Sequence, residues 1–283
     1  MSFPSFTHTC VALTMTLMSA ATQAAVVLNY PDFSGTTGLT LNGNAAPVGN
    51  VLRVTPAIDG QAGSFFSTNK VSLATGASFS TYFKFRFTNP DVNFCDGFGC
   101  GADGLVFVVQ TVANNVGGAG GGIGYAGIAN SVGIEFDSWY NGELGDASSN
   151  HVGIDRNGSL NSLQQQFVSE ADFNRGDIWS AWVDYNAAST LIEVRLTTGN
   201  ARPTDALLSY NLDLANTLGS NEAFVGFTSG TGASHANHDV LFWQLADNYE
   251  PIDPGNRVPT PGSLPLLALG LGALTWAGRR RAS

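Results

Sequence analysis

One short stretch of the sequence, EFDSWYNGELGDASSNH, gathers side chains that could hold metal ions in a chain that carries little charge. Its candidate ligands are carboxylates, an amide and an imidazole: Glu135, Asp137, Asn141, Asp146 and His151. Carboxylate, amide and backbone carbonyl oxygens suit calcium, whereas carboxylates with an imidazole nitrogen suit a transition ion such as manganese. Two adjacent ions that share carboxylates would explain the clustering. The alternative is a solvated acidic loop that follows a strand.

A β-strand would place the first of these residues together. Glu135, Asp137 and Trp139 alternate along an apolar run, so their side chains project from one face of a strand. The other candidates are then expected in the loop that folds back over that face: Asn141, Asp146 and His151. A strand and the loop after it would therefore assemble the ligand set.

Further runs of β-branched and aromatic residues, bounded by Gly, Asn, Asp and Ser, predict more strands. These runs are SFSTYFKFRF, GLVFVVQ, SVGIEFDSW, WSAWVDYN, LIEVRLT, AFVGFTS and VLFWQL. TYFKFRF alternates, which predicts one solvated face, whereas VFVV and VLFW do not alternate and are expected to be buried on both sides. Many short strands separated by turns indicate an all-β fold, either a sandwich or a jelly roll.

Composition limits the class of protein. The chain has 283 residues, of which 12% are charged and 34 are glycine, and this describes one large β domain. The formal net charge is −10, and three of the 12 basic residues are Arg279, Arg280 and Arg281 at the C-terminus. This acidic balance disfavours a nucleic-acid partner.

The N-terminus predicts export. An apolar segment from Thr9 to Ala21 precedes small residues near Ala24 and Ala25. We therefore assign residues 1–24 to a secretory signal peptide. A first buried strand is the alternative interpretation of this segment.

Two cysteines would remain in the mature chain, Cys95 and Cys100 of the motif CDGFGC. In an oxidising compartment they are expected to form a disulfide that closes a small loop. Two free thiols are the alternative. The spacing, without a second cysteine pair, is poor for a zinc site.

The C-terminus has three parts. Residues 248–258 are assigned to a linker because the composition shifts to Pro, Gly and Asp between Pro251 and Pro261. Residues 259–283 contain an apolar run followed by the arginines, an order that resembles the PEP-CTERM sorting tail of Gram-negative bacteria, with Thr260 in place of its glutamate. The resemblance implies membrane contact through this tail only, with the arginines on the cytoplasmic side. An ordinary C-terminal membrane anchor is the alternative.

Several short motifs follow one another in order between residues 25 and 247. They are Ala102-Asp103-Gly104-Leu105, a glycine loop, Ile134-Glu135-Phe136-Asp137, His151-Val152-Gly153-Ile154-Asp155, Trp182-Val183-Asp184-Tyr185, Val225-Gly226-Phe227-Thr228-Ser229 and His238-Asp239-Val240-Leu241-Phe242-Trp243. Each motif is weak alone, whereas the ordered set resembles the legume-type (L-type) lectins of the concanavalin A kind. The resemblance implies a concanavalin A-like β-sandwich (jelly roll) over residues 25–247 that binds carbohydrate.

The same resemblance implies a role for each candidate ligand. Manganese would be held by Glu135, Asp137, Asp146 and His151. Calcium would be held by Asp137, the carbonyl group of Trp139, Asn141 and Asp146. Asp137 and Asp146 would then bridge the two ions.

The resemblance also implies a sugar site. Its contacts would be Asp103, a backbone N–H of the glycine loop near Gly121, the Asn141 amide and the Trp139 ring. An acceptor, a donor and an apolar plate are what a pyranose with hydroxyl groups and one C–H face requires. The Ala102–Asp103 bond is cis in the family pattern, and calcium would restrain the Asp103 loop.

Two other functions are compatible with this kind of sandwich. Some glycoside hydrolases share it and carry catalytic acids as Glu-x-Asp-x-x-Glu, but here the third position is Tyr140 and Glu143 is off the strand period. A structural matrix or adhesion protein without sugar affinity is the second alternative. Ser234, His235 and His238 contain no nucleophile elbow, so a hydrolytic triad is not expected.

These observations together predict a secreted bacterial lectin and not an enzyme. It would bind a glycan or exopolysaccharide without covalent chemistry, at the envelope, outer surface or matrix of a Gram-negative bacterium. Calcium and manganese would be its cofactors. Lectins of this type often pair sheets edge to edge, so the resemblance is compatible with a homo-oligomer, in which multivalency would raise affinity.

Overall fold

The computed structural model describes residues 26–73 and 76–254. The predicted signal peptide and sorting tail lie outside these residues. Within them, two antiparallel sheets pack face to face, so the predicted all-β sandwich is confirmed. None of the helices in these two ranges has the length and apolar composition needed to cross a membrane.

Eight strands form each sheet. The first sheet has the spatial order β14 (Leu208–Asn211), β13 (Leu191–Thr197), β12 (Trp179–Asn186), β7 (Phe79–Thr88), β16 (Asn237–Ala246), β4 (Val51–Thr55) and β3 (Ala46–Val48), with β1 (Val26–Tyr30) also paired to β16. The second has the order β11 (Ser159–Phe167), β10 (His151–Arg156), β9 (Ser131–Asp137), β8 (Gly104–Gln110), β15 (Glu222–Gly230), β5 (Ala62–Ser67) and β2 (Leu39–Gly43), with β6 (Val71–Ser72) also paired to β15. The connections contain α1 (Leu214–Leu218) and the 3-10 helices Gly120–Gly122, Gly142–Leu144 and Phe173–Arg175.

Strand β7 shows how the sequence pattern builds the core. Phe83, Phe85 and Phe87 are fully buried between the sheets, whereas Lys84 and Arg86 are only partly buried on the outer face. The alternation therefore predicted the core-facing side of this strand correctly, whereas the outer face is only partly solvated because Tyr82 is buried against Trp182. Burial of each large apolar side chain contributes about 1.5–3 kcal/mol, so this one strand supplies a substantial part of the packing free energy.

The two runs without alternation behave differently. Strand β8, which contains VFVV, is buried along its whole length, as predicted. The prediction for VLFW is wrong, because Leu241 and Phe242 are only partly buried while Val240 and Trp243 are fully buried. The pairing of β16 with β7 shifts register between Val240 and Phe242. This β-bulge puts one extra residue on the outer face and removes the alternation without burying both faces.

The chain stays on the first sheet after β16 ends. The Trp182 indole N–H donates to the Ile252 carbonyl at 2.8 Å, and the Glu250 N–H donates to the Ser80 hydroxyl at 3.0 Å. The first part of the predicted linker therefore packs against the domain.

Candidate functional site

Strand β9 separates apolar and acidic side chains onto its two faces. Ile134 and Phe136 point into the core between the sheets, and Glu135 and Asp137 point to the opposite face of the second sheet. That opposite face is covered by a second apolar cluster that includes Tyr125. Both faces of β9 are consequently buried, and the two acids are held away from solvent.

Strand β10 brings the histidine to these acids. His151 is the first residue of β10, not a loop residue as the sequence indicated, and it pairs directly with Asp137. Its Nε2 atom lies 3.3 Å from Glu135 Oε1. Gly153 pairs with Glu135, and a Cβ atom there would collide with the Glu135 carboxylate and the Ser162 hydroxyl. A glycine at this position therefore leaves room for the cluster.

The loop between β9 and β10 adds the third acid. The Asn141 N–H donates to Asp146 Oδ2 at 2.7 Å, and Asp146 Oδ1 lies 3.8 Å from His151 Nε2. On the other side of the ring, His151 Nδ1 donates to the Ser148 carbonyl at 2.8 Å. This hydrogen bond fixes the ring so that Nε2 faces the carboxylates.

The cluster concentrates negative charge in a buried place. Burial, and then the charge of Glu135, raise the pKa of both Asp137 and Asp155 well above the ordinary value. Burial also raises the pKa of Asp146 to about 6. Burial lowers the pKa of His151, but the adjacent Glu135 and Asp146 carboxylates outweigh it and raise the pKa overall.

The charges and donor types of this cluster fit divalent cations. Within residues 26–73 and 76–254, no lysine or arginine forms an ion pair with its acids, and His151 is their only basic partner. The carboxylate oxygens and the imidazole nitrogen of Glu135, Asp137 and His151 lie within 4.8 Å of one another. Buried carboxylates without a counter-charge are unfavourable, and a bound cation would neutralise them.

Asp103 lies next to this cluster at the start of β8. Its peptide bond with Ala102 is cis, as the resemblance implied. The Asp103 N–H donates to the Gly230 carbonyl at 3.2 Å, and the Asp103 carbonyl accepts the Ser138 N–H at 3.0 Å. Asp103 is only 4% exposed, and its Oδ2 atom has no hydrogen-bond partner among the described residues. Burial raises the pKa of Asp103 to about 7.

Glycine residues of two loops lie beside Asp103 and Asn141. A Cβ atom at Gly232 would lie 3.4 Å from Asp103 Oδ2, and the nearby Gly120 N–H donates to the Thr231 carbonyl at 3.0 Å. A Cβ atom at Gly121 would lie 3.3 Å from the Asn141 amide nitrogen. The structure therefore brings Asp103, the Gly121 backbone and Asn141 around one place, which is lined by glycine backbone.

Trp139 adjoins the same place but is less free than the sequence indicated. Its backbone N–H donates to Asp137 Oδ1 at 2.6 Å. Its indole ring stacks on the Phe94 ring, with centroids 5.6 Å apart and an interplanar angle of 8°. One face of the indole is thus covered by Phe94, a residue that the sequence analysis did not select. The proximity of Phe94 to the CDGFGC motif was the only available signal.

Cys95 and Cys100 form a disulfide bond, and residues 95–100 are called the disulfide loop below. Asp96 joins this loop to the metal-binding candidates, because its Oδ2 accepts the Tyr140 N–H at 2.9 Å. Its Oδ1 accepts the Gly99 N–H at 2.7 Å. The disulfide loop therefore packs directly beside the segment that carries Trp139.

The residues considered for hydrolysis do not converge. The Ser234 hydroxyl donates to the Phe94 carbonyl, His235 forms an ion pair with Asp59, and His238 is buried with Nδ1 2.7 Å from Thr55 Oγ1. Glu143 lies in the 3-10 helix Gly142–Leu144, outside the strand that carries Glu135 and Asp137. These positions do not form a nucleophile–base pair or a pair of catalytic acids on one strand.

Fold and site together define a β-sandwich domain of the carbohydrate-binding lectin class. The family model described as "Legume lectin domain" matches residues 25–260, and the chain belongs to this family.

Relatives are found among both receptors and lectins of plants. The chain is 30% identical over 236 residues to the L-type lectin-domain containing receptor kinase VIII.1 of Arabidopsis thaliana, which covers 81% of this chain and 31% of that protein. The chain thus spans less than a third of that relative. It is 26% identical over 238 residues to a lectin of Leucomphalos mildbraedii, covering 78% of this chain and 95% of the lectin.

A solved structure supports the same assignment. The lectin from Bauhinia forficata in complex with GalNAc superposes with a TM-score of 0.67 and 25% identity. The match covers 77% of this chain and 96% of that chain. The similarity therefore extends over nearly the whole lectin structure.

Proposed function

We propose that this chain is an exported, metal-dependent lectin that binds a glycan or exopolysaccharide without covalent chemistry. The observation that carries the proposal is the Asp103 carboxyl group, which is buried and has an Oδ2 atom without a partner among the described residues. Buried polar atoms are almost always hydrogen-bonded, so an unpaired one beside glycine backbone indicates a ligand group. A sugar hydroxyl would donate to Asp103.

The surrounding residues supply the other contacts that a sugar requires. The Asn141 amide can donate and accept, and the backbone N–H near Gly121 can donate. The partly buried Trp139 ring, together with Phe94, offers apolar surface for the C–H face of a pyranose. Glycine backbone at Gly232 keeps side-chain bulk away from Asp103 and leaves space for the ring.

Calcium and manganese are proposed as cofactors because of the donor set. Glu135, Asp137, Asp146 and His151 would hold manganese, and Asp137, the Trp139 carbonyl, Asn141 and Asp146 would hold calcium. When bound, the ions would supply positive charge and order the loop between β9 and β10. The Ser138 N–H, which follows Asp137 in the chain, donates to the Asp103 carbonyl, so order in this loop would extend to Asp103.

The domain organisation and location remain part of the proposal. Residues 1–24 would direct export, residues 25–247 would form the lectin domain, residues 248–258 the linker and residues 259–283 the PEP-CTERM-like tail. The Cys95–Cys100 disulfide supports an oxidising compartment. The protein would then act at the envelope or in the matrix of a Gram-negative bacterium, with sheet edges available for homo-oligomerisation.

The decisive test is a glycan-array screen of the purified chain in calcium and manganese, repeated after chelation. We expect binding that requires the metals. At a pH above 7, where the Asp103 carboxyl is ionised, Asp103→Asn should then weaken binding of the selected sugar by roughly 10- to 100-fold, since a hydrogen bond to a charged group contributes about 1.5–3 kcal/mol. Asp205→Asn, at an exposed acid in the connection between β13 and β14, is the matched control.

Each result separates one part of the proposal. Binding that survives chelation would show that the metals are not needed. Full sugar affinity in the Asp103→Asn variant would show that Asp103 does not contact the sugar. An absence of binding in both conditions would favour a matrix or adhesion protein without sugar affinity.

A further inference from the structure

Three aromatic side chains in or beside the segment from Asp137 to His151 are open to solvent. Phe98 is 60% exposed, Phe167 is 51% exposed and Tyr140 is 40% exposed, whereas the large aromatic side chains of the core are fully buried. Single exposed apolar residues are common, but neighbouring aromatic rings at the surface mark binding sites. The position of these three rings is therefore informative.

Tyr140 and Phe98 connect the sugar site to a second place on the surface. Tyr140 lies between Trp139 and Asn141 in the chain, and its ring packs on Phe98 with centroids 5.1 Å apart. Asp96 fixes both residues, since its Oδ2 accepts the Tyr140 N–H at 2.9 Å and its Oδ1 accepts the Phe98 N–H at 2.7 Å. An apolar surface thus runs outward from the sugar site onto the disulfide loop.

Phe98 also lines a cavity of about 430 Å³. Phe167, at the end of β11, forms another part of the wall, and polar groups come from Asn150, Glu170 and Arg175. Small-molecule sites typically have volumes of about 300–1,000 Å³ and combine aromatic surface with a few polar groups. This cavity has both properties and contains none of the residues assigned to the first sugar site.

Hydrogen bonds hold the cavity wall in place. The Asn150 amide donates to the Val168 carbonyl at 2.7 Å and to the Ala171 carbonyl at 2.8 Å, and its Oδ1 accepts the Phe173 N–H at 2.9 Å. Asn150 directly precedes His151, so the wall is built on the same loop as the metal cluster. A cavity that is already formed costs little ordering free energy when a ligand enters.

Glu170 is fixed in a similar way. Its Oε1 accepts the Thr197 hydroxyl at 3.0 Å, the Thr198 N–H at 2.7 Å and the Thr198 hydroxyl at 2.5 Å, and Oε2 accepts none of these donors. Arg175 also lines the cavity, and its 69% exposed side chain lies 4.0 Å from the Asp177 carboxylate. A positioned acceptor at the cavity suits a ligand that carries many hydroxyl groups.

We infer that the cavity is a second subsite, which takes further sugar units of the glycan bound at Asp103. The ligand would then be an extended oligosaccharide or polysaccharide, which crosses the Tyr140–Phe98 surface and enters the cavity beside Phe167. The inference rests on the proposed function and is carried by the continuity of the two sites. Once the first sugar is bound, the next units bind at a high effective concentration.

The test uses calorimetry on the full chain in calcium and manganese. The probes are the monosaccharide selected on the array and linear di-, tri- and tetrasaccharides that contain it. The tetrasaccharide should bind at least about tenfold more tightly than the monosaccharide, which corresponds to about 1.4 kcal/mol. Phe98→Ala and Phe167→Ala should each remove most of this gain and leave monosaccharide affinity unchanged. Tyr249→Ala, at an exposed aromatic residue after β16, is the matched control.

The outcomes separate this inference from the proposed function. Equal affinity for the monosaccharide and the tetrasaccharide, or an equal loss of both in the two phenylalanine variants, would overturn the second subsite while sugar binding stands. An absence of binding to every probe would overturn both proposals. Phe98 and Phe167 are exposed, so the variants should keep the melting temperature of the unmodified chain, which can be measured in the same samples.

Discussion

The two sheets bury acidic groups in opposite ways. In the first sheet, fully buried Asp239 is paired with Arg53 by two hydrogen bonds of 2.7 and 3.0 Å, and Arg86 lies 3.6 Å away. Asp184 is paired in the same sheet with Arg202 and Arg195. The cluster in the second sheet has several buried acids and, within the described residues, only one basic partner, a histidine.

This difference shows which buried acids are neutralised by side chains of the protein itself. The first sheet neutralises its buried acids with arginines of the same chain, so its charges are a structural feature. Among the described residues, no arginine pairs with Glu135, Asp137 or Asp146 in the second sheet, although burial and mutual repulsion make the charges of Asp137 and Asp146 unfavourable. The cation that balances them would have to come from solution, which is the physical basis for a metal-dependent site.

The largest effect is expected when the first sheet loses an acid. Asp239→Ala should lower the free energy of unfolding by about 3 kcal/mol, the lower end for breaking a buried ion pair, because Arg53 keeps some access to water. Urea denaturation would measure it, with and without metal. Asp59→Ala, which removes an exposed ion pair with His235, should cost less than about 1 kcal/mol. Equal losses in both variants would contradict the distinction between buried and exposed pairs.

A smaller effect concerns His238, a buried group whose Nε2 atom has no hydrogen-bond partner among the described residues. Burial lowers the pKa of His238 to about 3, against about 6.5 in an unfolded chain. Between these values the unfolded chain binds a proton that the folded chain does not, so stability falls as the pH falls. The loss is up to about 1.4 kcal/mol per pH unit.

His238→Phe tests this prediction. The variant should show a shallower fall in unfolding free energy between pH 6 and pH 5 than the unmodified chain, whatever its stability at pH 7. The difference between the two slopes is the measurement, since the other titrating groups contribute equally to both proteins. Identical slopes would show that His238 does not remain neutral in the fold.

The smallest effect is a gain in stability, whereas loss of an acid in the first sheet lowers stability. In chelator, Asp137→Asn should raise the melting temperature by about 2–4 °C, or about 1 kcal/mol, since it replaces a carboxyl group whose ionisation is disfavoured by burial, while an amide oxygen can still accept the Trp139 backbone N–H. In calcium and manganese the same change should lower the melting temperature, because a shared ligand is lost. Asp239→Asn should lower it in both conditions. A destabilised Asp137→Asn in chelator would mean that the cluster is stable without a cation.

Periodicity predicted the strands that face the core, because alternation along a strand reflects burial on one side. Phe83, Phe85 and Phe87 show this in β7. The pattern failed at Leu241 and Phe242, where a bulge changes which face a residue occupies without changing residue type. It also missed β10 as a strand, since His151 was expected in the loop that folds back over β9.

The candidate site was predictable only in its residue types. Family resemblance selected Asp103, Asn141 and the acid–histidine cluster, but the stacking of Phe94 on Trp139 depends on a contact between distant segments. The cavity beside Phe98 and Phe167 has no local signal either, because its walls come from separate connections that meet only in the folded chain.

The sequence by itself determined the all-β class, the acidic balance and the set of residues that could bind metal. These follow from local properties: side-chain chemistry, alternation and turn residues. Only the tertiary structure decided that Asp137 and His151 are cross-strand neighbours. It also decided that, among the residues it describes, the buried Asp103 carboxyl has an unpaired oxygen and arginines lie beside one set of buried acids and not the other. Each of these depends on strand register and on packing between distant segments, which residue types alone do not encode.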